Sequence, residues 1–301
     1  MVRRMGTRDW LRLILLSVLW GGSFFFIAIA RAGLPPMTIV AVRLALAALV
    51  LWLVLPRLGI APPRGTRAWL ACAAMGIVNN AIPFTLIAWA QGSLASGLAS
   101  VLNATTPMFT VLLLRLARPP EPLGHARLAG IGFGFWGVAV LSGPGALSGA
   151  DALPILAMLG ATFCYGISGV VGRKFRSLGM APEAGAMGQL STAALVMLPL
   201  AAAVDQPWAG PWPGWAAVGA VLALAVLSTA IAYILFYRVL LSAGPANLSL
   251  VTFLLPVTAI LLGVAFLNET LLPRHLAGMV LIAAGLVAID GRLPRRLGRA
   301  A

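Results

Sequence analysis

Long apolar runs follow one another along nearly the whole chain, and short segments rich in glycine, proline and arginine separate them. A helix needs about 17–25 mainly apolar residues to cross the hydrocarbon core of a bilayer. Read between their flanking loops, the runs predict ten such helices, which we call spans 1 to 10. Their predicted bounds are 12–31, 37–55, 68–90, 95–115, 126–143, 152–172, 182–203, 214–237, 245–267 and 275–290. The pattern therefore predicts an all-α polytopic membrane protein with ten transmembrane helices.

Composition agrees with this fold class. Of the 301 residues, 61% are hydrophobic and 9% are charged, whereas a soluble domain carries about 25% charged residues. Cys72 and Cys164 both fall inside spans, as small core residues often do, and the chain has no metal-ligand spacing. We therefore expect neither a metal site nor a cofactor.

The two halves of the chain repeat one another at an offset of 149 residues. Residues 79–84, Asn-Asn-Ala-Ile-Pro-Phe, correspond to residues 228–233, Ser-Thr-Ala-Ile-Ala-Tyr. The same offset relates Ser100 to Ser249, Asn103 to Thr252 and Pro107 to Pro256. Because five spans per repeat is an odd number, the second copy enters the membrane in the opposite direction. We expect two inverted five-helix repeats, residues 1–145 and 146–301, an arrangement typical of secondary transporters.

Basic residues alternate between the two sides of the predicted bundle. Eighteen of the 21 Lys and Arg residues lie at the termini or in loops that follow even-numbered spans, whereas only Arg31 and Arg274 follow odd-numbered spans. By the positive-inside rule, both termini are cytoplasmic. The formal net charge of +14 is then a topology signal. No basic patch is interleaved with aromatic residues, so we expect no nucleic-acid partner.

The first apolar run shares features with a cleaved signal peptide, because four arginines precede it and Ala28-Ile29-Ala30 resembles a cleavage site. However, the run is longer than a typical signal core. Within it, residues 20–23, Trp-Gly-Gly-Ser, correspond to residues 165–168, Tyr-Gly-Ile-Ser, in span 6. A cleaved signal needs no counterpart later in the chain, so we expect span 1 to be retained.

The order of these motifs resembles the drug/metabolite transporter superfamily, specifically its EamA-type proteins. The motifs are Trp-Gly-Gly-Ser in span 1, Arg43 early in span 2, Ala/Ser-rich segments ending at Pro107 and Pro256, and the following Glu121 and Glu269. The resemblance implies a ten-helix exporter of small metabolites, often amino acids, that works by alternating access in the bacterial inner membrane. Its implied partners are a small-molecule substrate and the lipid bilayer. In this family type, glycine-rich spans 5 and 10 suit a peripheral position or a homodimer contact.

A transporter with this symmetry binds its substrate where the repeats meet, near the membrane midplane. Polar and aromatic residues at matching depths in the two halves, together with Arg43, are therefore candidate substrate-binding residues. They are Trp20, Arg43, Asn79, Asn80, Phe84, Ser100, Asn103, Tyr165, Ser228, Thr229, Tyr233, Ser249 and Thr252. Two other interpretations stay open: Ser, Thr and Asn also join helices by hydrogen bonds, and Trp and Tyr near span ends also anchor a protein at the membrane interface.

Arg43 is the one basic residue well inside a predicted span, where a charge costs about 2.5 kcal/mol or more on insertion scales. It can bind a substrate carboxylate, cap backbone carbonyls, brace span 1 or extend outward to the interface. Its counterpart in the second repeat lies near Gln189, so the symmetry is broken here. No acidic residue lies well inside a span, which leaves no obvious proton carrier and favours neutral or zwitterionic solutes, aromatic amino acids among them, over cations.

Other functions of the same fold stay open as alternatives, namely multidrug, nucleoside or other metabolite efflux. An enzyme alternative comes from residues 166–169, Gly-Ile-Ser-Gly, which match the G-x-S-G of rhomboid-type intramembrane serine proteases. Against it, His275 lies at the start of span 10 rather than at mid-membrane, and the rhomboid pattern has no five-plus-five repeat. The sequence has no G-x-x-x-x-G-K-[ST] phosphate-binding loop, so we expect a secondary transporter and no enzyme activity.

Overall fold

A computed structural model describes residues 5–116, 124–143, 152–176 and 178–290 of the chain. Helices are the only regular secondary structure in these ranges, which confirms an all-α protein. The predicted boundary between the repeats, after residue 145, lies outside the described residues, and so does Glu121.

The described ranges contain ten helical spans, and their ends agree with the predicted bounds to within six residues. Their helices are Thr7–Arg31 in span 1, Pro36–Val54 in span 2, Thr66–Gly76 and Ile82–Ala90 in span 3, Ser96–Asn103 and Thr106–Leu116 in span 4, His125–Ser142 in span 5, Ala152–Arg176 in span 6, Pro182–Val204 in span 7, Trp215–Ala225 and Ala232–Ala243 in span 8, Pro245–Leu248 and Val251–Phe266 in span 9, and Pro273–Asp290 in span 10. By length and hydropathy, seven of these spans qualify to cross a membrane, and spans 9 and 10 contain shorter apolar helices.

Spans 3 and 8 are each interrupted by a π-helical segment. These segments are Ile77–Ala81 and Val226–Ile231, and the repeat offset of 149 superposes their first residues. A π-helical turn pairs groups five residues apart instead of four, and such turns recur at functional sites. Both segments lie near the middle of their spans, so the irregular turns fall at the depth where the repeats meet.

Helix packing follows a two-fold relation between the repeats. Span 2 packs against its counterpart span 7, and span 5 packs against its counterpart span 10. The contact of span 1 with span 9 is repeated by span 6 with span 4, and the contact of span 3 with span 6 is repeated by span 8 with span 1. Exchange of the two halves therefore maps these contacts onto one another, as expected of two copies of one five-helix unit.

Spans 5 and 10 approach each other closely through glycines. A Cβ atom added to Gly130 would lie 2.6 Å from the carbonyl oxygen of Gly285, and one added to Gly137 would lie 2.8 Å from that of Gly278. Small residues permit such close backbone approach between membrane helices. These glycines thus serve packing within one chain. Contact between two copies of the chain stays a prediction.

The two ends of the bundle differ. At the end that holds the loop 267–272, Ser96–Asn103 packs against both span 1 and span 9. The two-fold relation would place equivalent contacts at the opposite end. Within the described residues, no comparable packing joins span 9 to Thr106–Leu116 or to span 6. Among spans 1, 4, 6 and 9, the described helices are therefore more closely packed at the first end, which we call the Glu269 end, than at the other, which we call the N-terminal end.

Two carboxylates cap helices at the Glu269 end. Glu269 accepts hydrogen bonds from the backbone N–H groups of Ser96, at 2.6 Å, and Gly97, at 3.0 Å. Asp205 accepts from the backbone N–H of Thr38 at 2.6 Å and from its hydroxyl at 2.9 Å. The first N–H groups of a helix have no partner within the helix, and the helix dipole favours a negative charge there. Both carboxylates come from the second repeat and hold helices of the first.

Candidate substrate cavity

A cavity of about 410 Å³ lies between the two repeats, and seven of the ten spans line it. This volume is within the range of about 300–1,000 Å³ that is common for small-molecule sites. Nine of the thirteen predicted residues line the cavity: Trp20, Arg43, Asn79, Phe84, Asn103, Tyr165, Ser228, Tyr233 and Thr252. The structure thus brings together most of the side chains that the repeat alignment pairs.

Arg43 enters the cavity wall from span 2 and is held by groups from spans 3 and 8. Its Nε donates a hydrogen bond to Thr229 Oγ1 at 2.8 Å, and the Thr229 hydroxyl donates to the Leu224 carbonyl at 2.8 Å. The guanidinium carbon lies 3.7 Å from the centre of the Phe84 ring, a cation–π contact. Arg43 is 6% exposed, and no carboxylate of the described residues lies within 4.0 Å of it. It is a fixed positive charge whose terminal nitrogens make no hydrogen bond to a described residue.

Tyr233 links the two repeats at the cavity wall. Its hydroxyl accepts hydrogen bonds from the amide nitrogens of Asn79, at 3.1 Å, and Asn80, at 2.9 Å. These amides lie in the π-helical segment of span 3. Tyr233 lies two residues after the end of the π-helical segment of span 8. The matched irregular turns therefore meet across the interface between the repeats, where two donors fix one phenol oxygen.

Four predicted residues are not part of the cavity wall: Asn80, Ser100, Thr229 and Ser249. Asn80 and Thr229 stand behind the wall and position the two cavity groups to which they are hydrogen-bonded. Ser100 is fully buried and donates a hydrogen bond to the carbonyl three residues earlier. Ser249 lies in the turn between the two helices of span 9.

Sequence reasoning missed several residues of the wall. Tyr237 follows Tyr233 by one helical turn, and their ring centroids are 6.2 Å apart. The i, i+4 spacing was the signal that could have identified it. Ser23 and Ser168 end the matched four-residue motifs of spans 1 and 6, and each donates to the carbonyl three residues earlier. The cavity wall, as far as it is described, contains no histidine.

The sequence profile of the EamA-like transporter family matches residues 10–143 and, a second time, residues 152–289. The chain belongs to the EamA-like transporter family. The double match assigns one copy of the family's unit to each half of the chain. It confirms the resemblance to the drug/metabolite transporter superfamily, and with it a polytopic membrane protein that acts as a transporter.

Relatives of this EamA-like chain include a protein named as a transporter, and a solved structure shares its fold. The uncharacterized inner membrane transporter YedA of Escherichia coli strain K12 is 30% identical over 262 residues, which cover 86% of this chain and 83% of YedA. Protein PecM of Dickeya dadantii strain 3937 is 27% identical over 234 residues, which cover 76% of this chain and 75% of PecM. A protein of known crystal structure is 20% identical, with a TM-score of 0.69 over 97% of this chain and 99% of its own, which shows a shared fold.

Proposed function

We propose that this EamA-like transporter exports small zwitterionic metabolites, neutral amino acids above all, across the bacterial inner membrane by alternating access. The observation that carries the proposal is Arg43, a positive charge in the cavity wall with no carboxylate partner among the described residues. Removal of a charge from water costs several kcal/mol unless an opposite charge and hydrogen bonds offset the loss. The carboxylate of an amino acid supplies both.

The placement of Arg43 suits a carboxylate ligand. Thr229 engages Nε, so the two terminal nitrogens are left for the ligand. Guanidinium and carboxylate groups pair through two parallel hydrogen bonds, and a hydrogen bond to a charged group contributes about 1.5–3 kcal/mol. The Phe84 ring against the guanidinium restricts its rotation, which favours one orientation of the bound carboxylate.

Aromatic rings form much of the remaining wall and suit an apolar amino acid side chain. Trp20, Tyr165, Phe236 and Tyr237 all line the cavity, and such rings pack well against aliphatic or aromatic groups. The same rings would stack on a nucleobase or a drug, which is the observation that favours nucleoside or multidrug efflux as a second candidate. The Arg43 charge opposes cationic drugs among these.

The difference between the two ends of the bundle supports alternating access. Inverted-repeat transporters exchange two related states in which one end and then the other is closed around a central site. The basic residues favour cytoplasmic termini, which would place the less closely packed N-terminal end on the cytoplasmic side. An exporter takes up its substrate from that side. The inner membrane location follows the name of the relative YedA.

Transport by the purified protein in liposomes tests the proposal. Tracer exchange of L-phenylalanine, L-leucine and L-alanine is compared with that of uridine and ethidium. We expect exchange of at least one amino acid and its loss, by about tenfold or more, in Arg43→Gln. Arg57→Gln is the matched control, because Arg57 is an exposed arginine just after span 2. Exchange of uridine or ethidium without any amino acid, or full amino acid exchange by Arg43→Gln, would contradict the proposal.

A further inference from the structure

We propose that Asn103 and Ser228 together form an ammonium-binding subsite, so that the transporter requires the amine of its substrate as well as the carboxylate. This inference rests on the proposed function, because it takes Arg43 as the carboxylate anchor. It extends that function by assigning the other charged end of a zwitterion to two oxygen atoms, one from each repeat.

Both residues present a buried oxygen that has no hydrogen-bond partner among the described residues. Ser228 lines the cavity and is fully buried, and its Oγ has no hydrogen-bond partner among the described residues. Asn103 also lines the cavity, and its Oδ1 is buried and unpartnered. Buried polar atoms are nearly always hydrogen-bonded, because the lost contact with water is otherwise uncompensated. Other unpartnered oxygens, such as Gln189 Oε1, are not part of the cavity wall, so a substrate in the cavity does not meet them.

The backbone brings these two residues to the wall that also holds Arg43. Ser228 directly precedes Thr229, which binds Arg43, in the π-helical segment of span 8. Asn103 is the last residue of the first helix of span 4, and its carbonyl accepts a hydrogen bond from Thr106 Oγ1 at 2.8 Å. That bond fixes the turn from which the amide projects. A ligand that contacts Arg43 and both oxygens therefore bridges the two repeats.

The chemistry of the two oxygens favours an ammonium group. An amide oxygen only accepts hydrogen bonds, a hydroxyl oxygen accepts as well as donates, and an ammonium group offers three donors and no acceptor. No carboxylate belongs to the described cavity wall, so a free organic cation finds no counter-ion there and is repelled by Arg43. In a zwitterion, the carboxylate of the substrate occupies Arg43 and removes this repulsion. The subsite thus admits an ammonium group that is joined to a carboxylate.

Three ligands with the same phenyl group separate the two charged ends: L-phenylalanine, 3-phenylpropanoate and 2-phenylethylamine. Their binding to the purified full-length protein is measured by isothermal titration calorimetry. L-leucine, 4-methylpentanoate and 3-methylbutylamine form a second series of the same design. We expect the amino acid to bind about 10- to 100-fold more tightly than its deaminated acid, and more tightly still than the amine alone.

Variants of Asn103 test the assignment. Asn103→Leu should weaken the amino acid by about tenfold and leave the deaminated acid unchanged, because only the first uses the amide oxygen. Asn103→Asp supplies a counter-ion, so it should strengthen binding of the amine by about tenfold and weaken the deaminated acid. If Asn103 had a purely structural role, its substitution would not change the order of ligand affinities. Ser17→Ala is the control. It removes a buried hydroxyl that lies outside the cavity wall and donates to the Ile14 carbonyl at 2.7 Å, so the order of ligand affinities should stay as in the wild type.

The outcomes separate this inference from the proposed function. If the deaminated acid binds as tightly as the amino acid, or if Asn103→Asp leaves the ligand order unchanged, the ammonium subsite is wrong and Arg43 as carboxylate anchor stands. If neither an amino acid nor a deaminated acid of either series binds, the proposed function fails and the subsite fails with it. Ser228→Ala, which removes the second oxygen with little change of volume, repeats the test should Asn103→Leu fail to fold.

Discussion

The carboxylate of Glu269 accepts the backbone N–H of Ser96 at 2.6 Å and thereby ties the loop after span 9 to the first turn of span 4. The neighbouring N–H of Gly97 reaches the other carboxylate oxygen at 3.0 Å. Asn268, with a left-handed φ of 55°, turns the chain back toward span 4, a conformation that Asn tolerates better than most residues. A side chain at Gly263 would collide with the same carboxylate, so this residue must be small.

Replacement of Glu269 by glutamine should open the Glu269 end. Glutamine keeps the shape, but it loses the charge and turns one acceptor into a donor that faces a backbone N–H. We expect a loss of about 1–2 kcal/mol at this contact, which corresponds to a shift of about 5- to 30-fold in the ratio of open to closed ends. The measurement is the labelling rate of Ile87→Cys, a cavity-lining position near this end, in a cysteine-free background.

The labelling is done on intact cells with a membrane-impermeant maleimide. Asp9→Asn serves as the control, because Asp9 contacts Ser242 at 2.7 Å at the N-terminal end of the bundle. This control should not raise the rate. Equal labelling of Ile87→Cys with and without Glu269→Gln would show that the Glu269 contact does not hold this end closed.

Thr229 should control substrate affinity through Arg43 although it does not line the cavity. Thr229→Val removes the acceptor of Arg43 Nε with little change of volume, so the guanidinium can rotate away from its carboxylate-binding orientation. We expect about tenfold weaker binding of the transported amino acid. Thr229→Ser retains the oxygen and should bind nearly as the wild type does. Identical affinities of the Val and Ser variants would mean that this hydrogen bond does not position Arg43.

Tyr233→Phe should destabilise the contact between the repeats. The variant leaves the half-buried amide of Asn79 and the buried amide of Asn80 without their acceptor, at a cost of about 1–3 kcal/mol. Thermal unfolding in detergent should show a lower Tm. In an Asn80→Leu background, where one donor is already absent, the same substitution should cost less. Additive effects of the two substitutions would contradict a shared hydrogen bond.

Two glycines of span 5 should differ in how far the same substitution reduces stability. Gly130→Val should reduce stability strongly, because its side chain would meet the backbone of Gly285 and the side chains of span 10. Gly132→Val should be tolerated, because a Cβ at Gly132 meets no described atom within 4 Å. The measurement is the yield of monodisperse protein and its Tm in detergent. A similar loss in both variants would point to helix propensity rather than to packing between spans 5 and 10.

Cysteine labelling tests the proposed orientation of the chain. Ala209 lies in the loop between spans 7 and 8, and Leu58 lies in the loop between spans 2 and 3; both are exposed. If the termini are cytoplasmic, an impermeant reagent added to intact cells should label Ala209→Cys and spare Leu58→Cys. The reverse result would place both termini outside and would make the N-terminal end the outward-facing one.

The spans were predictable because a membrane helix is specified locally, by the length of an uninterrupted apolar run. The hydrogen-bond partners of the functional groups could not be predicted from the sequence. The sequence identifies Glu269 as a motif residue without indicating that its partner is Ser96, which is 173 positions away. Such pairing depends on how the spans pack, and neither hydropathy nor local spacing records it.

Within the site, the sequence predicts two pairs of adjacent polar residues, Asn79-Asn80 and Ser228-Thr229, but not which member of each pair faces the cavity. Adjacent residues of a helix point in directions about 100° apart, so only one member of each pair can face the cavity squarely. The cavity-facing members are Asn79 and Ser228, whereas Asn80 and Thr229 lie behind them. The choice is the same in both halves, and all four residues lie in the π-helical segments, which composition does not reveal.

The π-helical segments also bear on the history of the molecule. Ile77–Ala81 and Val226–Ile231 begin at the same aligned position of the two halves. A widened turn shared at one aligned position is what a single ancestral insertion, copied by gene duplication, leaves behind. One five-helix ancestor that already carried this turn accounts for both segments. The position aligned with Arg43, near Gln189, has no positive charge, so the shared scaffold of the two halves carries a charge that belongs to one half alone.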